Sequence, residues 1–249
     1  MVDSLLRPFA MRFFENIFVI NLKKRKERWR KTMQRLSLCG FDPGTVRRVE
    51  AVDGKELFRN DPSRLKSVLA DRAYAEIQHR TRSYHEQLTL GAVGCALSHI
   101  SVWREVVKKQ IPEALVFEDD IVPSRNFKVL LSERWPEIPR DRDLVFLGCW
   151  HRKSPAAVNK HVVRPVKIFR THAYVISRQG AAILMNEVFP LKVQLDAYLS
   201  GMFPLLHVYA FRPRLVRQGF LKWFDTDVQV PIRRFYDPRS FFVKMKTKG

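Results

Sequence analysis

The segment Ala114-Leu115-Val116-Phe117-Glu118-Asp119-Asp120 constrains this chain more than any other. Four apolar residues in succession read as a short buried strand, and three carboxylates follow at its carboxyl end. Side chains alternate along a strand, so Glu118 and Asp120 fall on one side and Asp119 on the other. Carboxylates at contact distance oppose each other's ionisation, so such a cluster calls for a positive partner. Open α/β sheets bind ligands outside the carboxyl ends of their strands, and hard divalent cations bridge carboxylates to phosphates. A metal–diphosphate site is one reading; an acidic turn solvated at the surface is the other.

The 249 residues suffice for one large α/β domain, divided here as 1–231 with a basic, aromatic tail over 232–249. A hydrophobic content of 46% supports a substantial core, while a net charge of +20 favours anionic partners. Neither zinc-finger nor RNP-like signatures accompany that charge, which argues against a nucleic-acid partner. Cys39, Cys95 and Cys149 are odd in number and widely spaced, so they read as small buried hydrophobes, not a disulfide framework. Met1–Glu15 lacks an uninterrupted apolar core and reads as a poor signal peptide, which points to a cytoplasmic protein.

Glu15–Leu22 reads as a buried strand, and Arg25–Leu38 as a helix with Trp29, Met33 and Leu36 on one stripe and Gly40 at its stop. Thr45–Ala51 is a second strand closed by an Asp53-Gly54 turn. Such a strand–helix–strand opening implies a parallel sheet. Asp61–Tyr84 is polar and basic and reads as a variable insertion, whereas Gly91–Lys109 carries the clearest helical periodicity. Beyond the acidic strand, a helix is expected over Phe127–Trp135, a strand over Asp143–Gly148 and a loop over His151–Pro165. Val166–Ser177 reads as a strand, Gln179–Val188 and Leu195–Phe203 as helices, and Leu205–Val216 as extended chain.

These pieces resemble glycosyltransferase family 25, which contains lipopolysaccharide galactosyl- and glucosyltransferases and collagen galactosyltransferases. Phe18–Leu22 followed by Lys26-Glu27-Arg28 is similar to the family's opening strand and arginine. Glu50–Gly54 resembles its AVDG turn, Leu90–His99 its GxxGCxLSH helix, and Leu115–Asp120 its EDD strand end. Ala173–Ser177 with Gly180-Ala181, Leu195-Asp196, and Pro213–Gln218 with Phe224-Asp225-Thr226 resemble its later segments, with Phe224 where serine is usual. The resemblance implies a single GT-A, Rossmann-like α/β domain with a mostly parallel central sheet. It also implies a UDP-sugar donor, Mn2+ or Mg2+, and inverting transfer of galactose or glucose to a glycan acceptor such as lipopolysaccharide.

Such a transfer needs the departing diphosphate neutralised, which a metal does as a Lewis acid, and the acceptor hydroxyl deprotonated by a base within hydrogen-bond reach. In this pattern Asp120 is the metal ligand, Glu118 reaches the donor's ribose, and Asp119 is left for the sugar or a backbone amide. Asn21, Leu22, Arg28, Asp53 and Gly54 are placed on the nucleotide side. Arg28 offers planar charge suited to phosphate, yet Lys23–Arg35 holds eight basic residues and one acidic one, most of them a solvated helix face. Ser98 and His99 would organise the donor pocket, although a histidine beside a core stripe is commonly structural. Asp196 is the candidate base, with a helix N-cap as its rival role and Asp225 and Asp227 in reserve. Tyr174 and Gln218 are candidates for shaping the acceptor pocket.

Ile232–Gly249 mixes six basic residues with Phe235, Tyr236, Phe241 and Phe242. Basic charge interleaved with aromatics suits peripheral contact with an anionic membrane face or glycolipid; a tail with a few packed phenylalanines accounts for it as well.

Overall fold

The computed structural model describes residues 15–78 and 86–219. Within them the sheet follows the order β2-β1-β3-β8-β5-β9-β7-β6. Its strands are β1 (Ile17–Asn21), β2 (Val46–Glu50), β3 (Glu113–Glu118), β5 (Leu144–His151), β6 (Ala156–Ala157), β7 (Val162–Arg164), β8 (Ile168–Ser177) and β9 (Val208–Phe211). β1 runs parallel to β2 and β3, and β5 parallel to β9; β8 and β7 run against the rest. The sheet is thus mostly parallel by strand direction, with β8 inserted in reverse between β3 and β5. A separate antiparallel pair joins β4 (Ile121–Pro123) to β10 (Val216–Gln218).

Both faces of the sheet are covered, which is why its central strands are continuous apolar runs instead of alternating ones. Phe18 and Ile20 of β1, and Ala114 and Val116 of β3, pack on one face with α5 (Leu90–Lys108), α7 (Arg178–Glu187) and α8 (Leu195–Met202). Ile17, Val19, Leu115 and Phe117 take the opposite face, under α1 (Lys26–Leu38) and α6 (Phe127–Arg134). The period-two division therefore runs unbroken up to the acidic strand end.

Three expectations are revised. The described part of Asp61–Tyr84, expected as a weakly helical insertion, is helical and packed into the core: α3 (Pro62–Val68) and α4 (Asp71–Gln78) bury Leu65, Leu69 and Ala73. Their apolar positions are sparse, and they dock through backbone bonds between Leu191 and both Val68 and Ala70. The expected loop His151–Pro165 contains β6 and β7, which extend the sheet, β7 pairing with β9 and β6 with β7. Asp53-Gly54 is a helix start and not a hairpin-type turn, since the Asp53 carboxylate accepts from the amides of Lys55 and Glu56 and caps α2 (Gly54–Asn60). The helix expected over Arg25–Leu38 forms as α1, and Gly40 takes a φ of +83° just beyond it, a conformation suited to glycine.

The start of α2 is pressed against α5. A Cβ on Gly94 would lie 2.3 Å from the Val52 carbonyl oxygen and 2.7 Å from the Gly54 nitrogen, both backbone atoms that cannot swing aside. Gly94→Ala should therefore destabilise the protein by about 1–3 kcal/mol, lowering the melting temperature by roughly 2–4 °C per kcal/mol in a chain of this size. Gly201→Ala, whose Cβ meets nothing within 4 Å, is the control and should leave the melting temperature unchanged or raise it. Equal melting of the two variants would show that this contact is not tight.

Candidate active site

The carboxyl end of β3 sorts its three acids as strand alternation requires. Asp119 turns toward α1 and is neutralised there. Its Oδ2 accepts from Asn21 Nδ2 at 2.6 Å and its Oδ1 from Arg28 Nη1 at 3.2 Å. Asn21, itself buried, also donates to the Arg25 carbonyl and accepts from the Arg48 guanidinium. Thr32 of α1 closes the arrangement by donating to the Asp119 carbonyl at 2.6 Å. Leu22 sits at the end of β1, its carbonyl holding the turn into α1 through the Arg25 amide. Asn21 and Arg28, expected at the nucleotide, both meet the Asp119 carboxylate.

Glu118 and Asp120 lie on the other side and receive no such neutralisation. Asp120 Oδ2 accepts from Gln218 Nε2 at 2.8 Å, while Asp120 Oδ1 is buried with no hydrogen-bond partner among the described residues. Burial and then the Glu118 charge push the Asp120 carboxyl up to about 7. Burial, followed by the Asp119 charge, pushes Glu118 up to about 8. Two acids held this far above their ordinary range, with an orphaned oxygen between protein walls, fit a hard divalent cation supplied from outside. Gln218, expected to shape the acceptor pocket, donates to Asp120, and the pairing of β10 with β4 holds the two together.

Below them α5 supplies a buried polar chain. Trp103 Nε1 donates to the Tyr174 hydroxyl at 3.0 Å, and that hydroxyl lies 2.9 Å from His99 Nδ1. With the Tyr174 proton directed to Nδ1, the imidazole carries its own on Nε2, which faces Glu118 Oε1 at 3.4 Å. Burial pulls His99 down to about 3, so it is a neutral group. Cys95, one turn earlier, brings its sulfur within 4.8 Å of the His99 and Glu118 ligand atoms, a grouping its spacing at i and i+4 with His99 could have suggested. Ser98 is a clamp: it accepts from the Val52 amide at 2.8 Å and donates to the Gly94 carbonyl at 2.6 Å. Asp53, besides capping α2, pairs with Lys24, and Gly54 makes the close approach to α5. Tyr174 is wholly buried, so its contact is with His99 rather than with a pocket surface.

Asp196 lies in the first turn of α8, inside the helix and not at its cap, which is Gln194. Its carboxylate accepts from the Ala197 amide at 2.8 Å and from the Arg170 amide at 3.3 Å. It lines a shallow cleft with Glu86, Arg152, Lys167 and Phe169. Because β8 is reversed, its amino-terminal end at Arg170 stands at the same sheet edge as Glu118. Charges of Asp196 and Arg170 both reach Glu118, in opposite senses. Asp225 and Asp227, and the tail from Ile232, lie outside the described residues. The contributions of Arg170 and Thr32 were missed in sequence, since no motif marks either.

Comparison with known proteins decides the family. The model of glycosyltransferase family 25 (LPS biosynthesis protein) matches residues 14–199. The chain belongs to glycosyltransferase family 25. Procollagen galactosyltransferase 2 of Mus musculus is 33% identical over 199 residues, covering 76% of this chain and 30% of that protein. A Bos taurus relative named probable inactive glycosyltransferase 25 family member 3 is 33% identical over 208 residues, covering 79% of this chain and 33% of its own. The chain thus spans about a third of the length of these curated relatives. Among solved structures, a UDP-glucose pyrophosphorylase complexed with UDP-glucose aligns over 79% of this chain and 89% of that chain, at 8% identity and a TM-score of 0.43.

For this family 25 chain the raised acids have a thermodynamic consequence. A carboxyl whose folded value exceeds its unfolded one binds more protons when folded, so stability is full below the unfolded value and is lost as pH rises. The window runs from ordinary carboxylate values of 4.5 for Glu118 and 3.8 for Asp120 up to about 8 and 7. Glu118→Gln and Asp120→Asn should therefore melt above the metal-free parent at pH 8 and together with it near pH 4. Manganese should narrow the gap at pH 8 by stabilising only the parent. A gap that does not change with pH would mean that these acids are not the strained pair.

Proposed function

We propose that the chain transfers a hexose, galactose or glucose, from a UDP-sugar to a hydroxyl of a glycan acceptor such as lipopolysaccharide, with inversion. The observation that carries this reading is the orphaned oxygen of Asp120 beside Glu118, at the strand end where diphosphates bind, with a second carboxylate, Asp196, across the same edge. Membership of a glycosyltransferase family and relatives named as galactosyltransferases support it. The net charge of +20 supports a phosphate-bearing acceptor at an anionic surface, in keeping with a cytoplasmic enzyme working peripherally at a membrane face.

Asp120 and Glu118 would hold Mn2+ or Mg2+, which when bound supplies Lewis-acid neutralisation of the departing diphosphate. Gln218 orients Asp120 for that role, and the neutral His99 keeps Glu118 in place without cancelling its charge. Asp196 takes the proton of the acceptor hydroxyl. The backbone amides of Arg170 and Ala197 fix its direction.

UDP with manganese should raise the melting temperature, because a ligand that binds only the folded chain stabilises it by mass action. Asp120→Ala should abolish that shift while melting cooperatively on its own. Asp196→Asn should keep the shift and lower transfer by roughly 10²–10⁴-fold, read as hexose incorporated into a lipooligosaccharide acceptor. Full transfer by Asp196→Asn would remove it as the base, and an unchanged UDP shift in Asp120→Ala would remove that residue from the metal.

A further inference from the structure

Across the sheet edge from the acids, the ends of β5 and β8 gather positive charge on an aromatic frame. β8 carries extra residues there: Cys149 pairs with Thr171 and Trp150 with Phe169, leaving Arg170 bulged between them. Arg170 adopts a φ of +66°, an uncommon conformation for a side-chain-bearing residue, of the kind found where structure is shaped for function. The bulge sends its amide to Asp196 and its guanidinium to 5.7 Å from the Trp150 ring centre and 5.6 Å from that of Phe169. Arg214 stacks on the same indole at 4.2 Å, and Arg152 on Phe169 at 5.3 Å.

Stacking holds a guanidinium in position without using up its hydrogen-bonding edge. Among the described residues Arg214 makes no ion pair, and Trp150, its rack, is 41% exposed. Arg152 and Lys167 share a single carboxylate, Glu86. Burial first, and then the charges of Arg212 and Arg214 on His151 and of Arg170 and Arg214 on His172, oppose protonation of either histidine. This is a cluster of cations held on aromatic faces, at a bulge whose amide is bound to the candidate base.

We infer that Arg214, Arg170 and Arg152, held on Trp150 and Phe169, form an acceptor subsite for an anionic group, a phosphate or carboxylate, on the saccharide whose hydroxyl meets Asp196. The inference rests on the glycosyltransferase reading and deepens it, since it selects phosphorylated or acidic sugars over neutral ones as the acceptor class. Bidentate guanidinium contacts suit both anions. The donor's own diphosphate offers the same chemistry, so the test must separate the two.

The full chain would be titrated by ligand-observed NMR with glucose 6-phosphate, glucose and inorganic phosphate, and separately by calorimetry with UDP and manganese. Glucose 6-phosphate should bind at least tenfold more tightly than glucose, and more weakly as salt is added. Arg214→Gln should weaken glucose 6-phosphate roughly tenfold, Arg214→Lys should recover part of that loss, and UDP affinity should be unchanged in both. Equal affinity for glucose 6-phosphate and glucose, including no binding of either, overturns the inference. A phosphate affinity matching that of glucose 6-phosphate would reduce the cluster to a general anion site and also overturns it. Loss of UDP affinity in Arg214→Gln would assign the arginines to the donor. Failure of UDP to bind the parent chain would instead strike the transferase reading.

Discussion

Everything at the site depends on how three adjacent carboxylates are kept at one strand end. Three charges cannot be dehydrated together without compensation, and β3 resolves this by alternation. Asp119 points to the α1 side, where Asn21, Arg28 and Thr32 meet it. One acid is therefore a structural anion that locks β1, α1 and β3 together. The other two make no ion pair with an arginine or lysine among the described residues: Gln218 donates to Asp120, and a neutral His99 lies 3.4 Å from Glu118. The fold neutralises the charge it needs for architecture and withholds neutralisation from the pair it presents.

α5 makes that selectivity durable. Gly94 lets it approach α2 at backbone contact, Ser98 ties it to the strand end after β2, and His99 and Trp103 reach Tyr174 on β8. One helix thereby sets the relative positions of three segments that carry site residues. Trp103, Tyr174 and His99 satisfy one another deep in the core, and the remaining His99 nitrogen lies 3.4 Å from Glu118 Oε1 without hydrogen-bonding it. Mutations in this helix should be expected to read out at the acids even where they touch no ligand.

Much of this was legible in the sequence. The alternation of Ala114–Asp120, the helices over Arg25–Leu38 and Gly91–Lys109, and the strands around them follow from local periodicity, and they form largely as expected. What periodicity cannot show is which partner a side chain finds across the sheet. Asn21 and Arg28 are placed on the nucleotide side by the family motif, and their contacts with Asp119 arise only once β1 and β3 are paired. Ser98 and Asp53 are bound to backbone amides for the same reason. Likewise α3 and α4 carry too few apolar residues to announce a core face, although Leu65 is fully buried. The Arg170 bulge depends on the register of β5 against β8, information that no run of residues contains.

The reversed strand is what gives the site two unlike halves. In the antiparallel register Glu113 meets Ser177 and Phe117 meets Ala173, so the arginine-bearing end of β8 lies toward Glu118; a parallel β8 would carry it to the far edge of the sheet. Running backward, β8 sets Arg170 and its aromatic frame next to uncompensated acids. The two halves nevertheless do not simply pair off: Asp120 keeps an orphaned oxygen, and Arg214 stays on its indole. An active site that neutralised itself would have nothing left for its substrates. On the proposed reading the acids would take a cation carrying a diphosphate and the arginines an anion on the acceptor, with Asp196 held beside them by the Arg170 amide. Separation of unlike charges across one sheet edge is the physical condition under which both substrates can be held with the reacting groups between them.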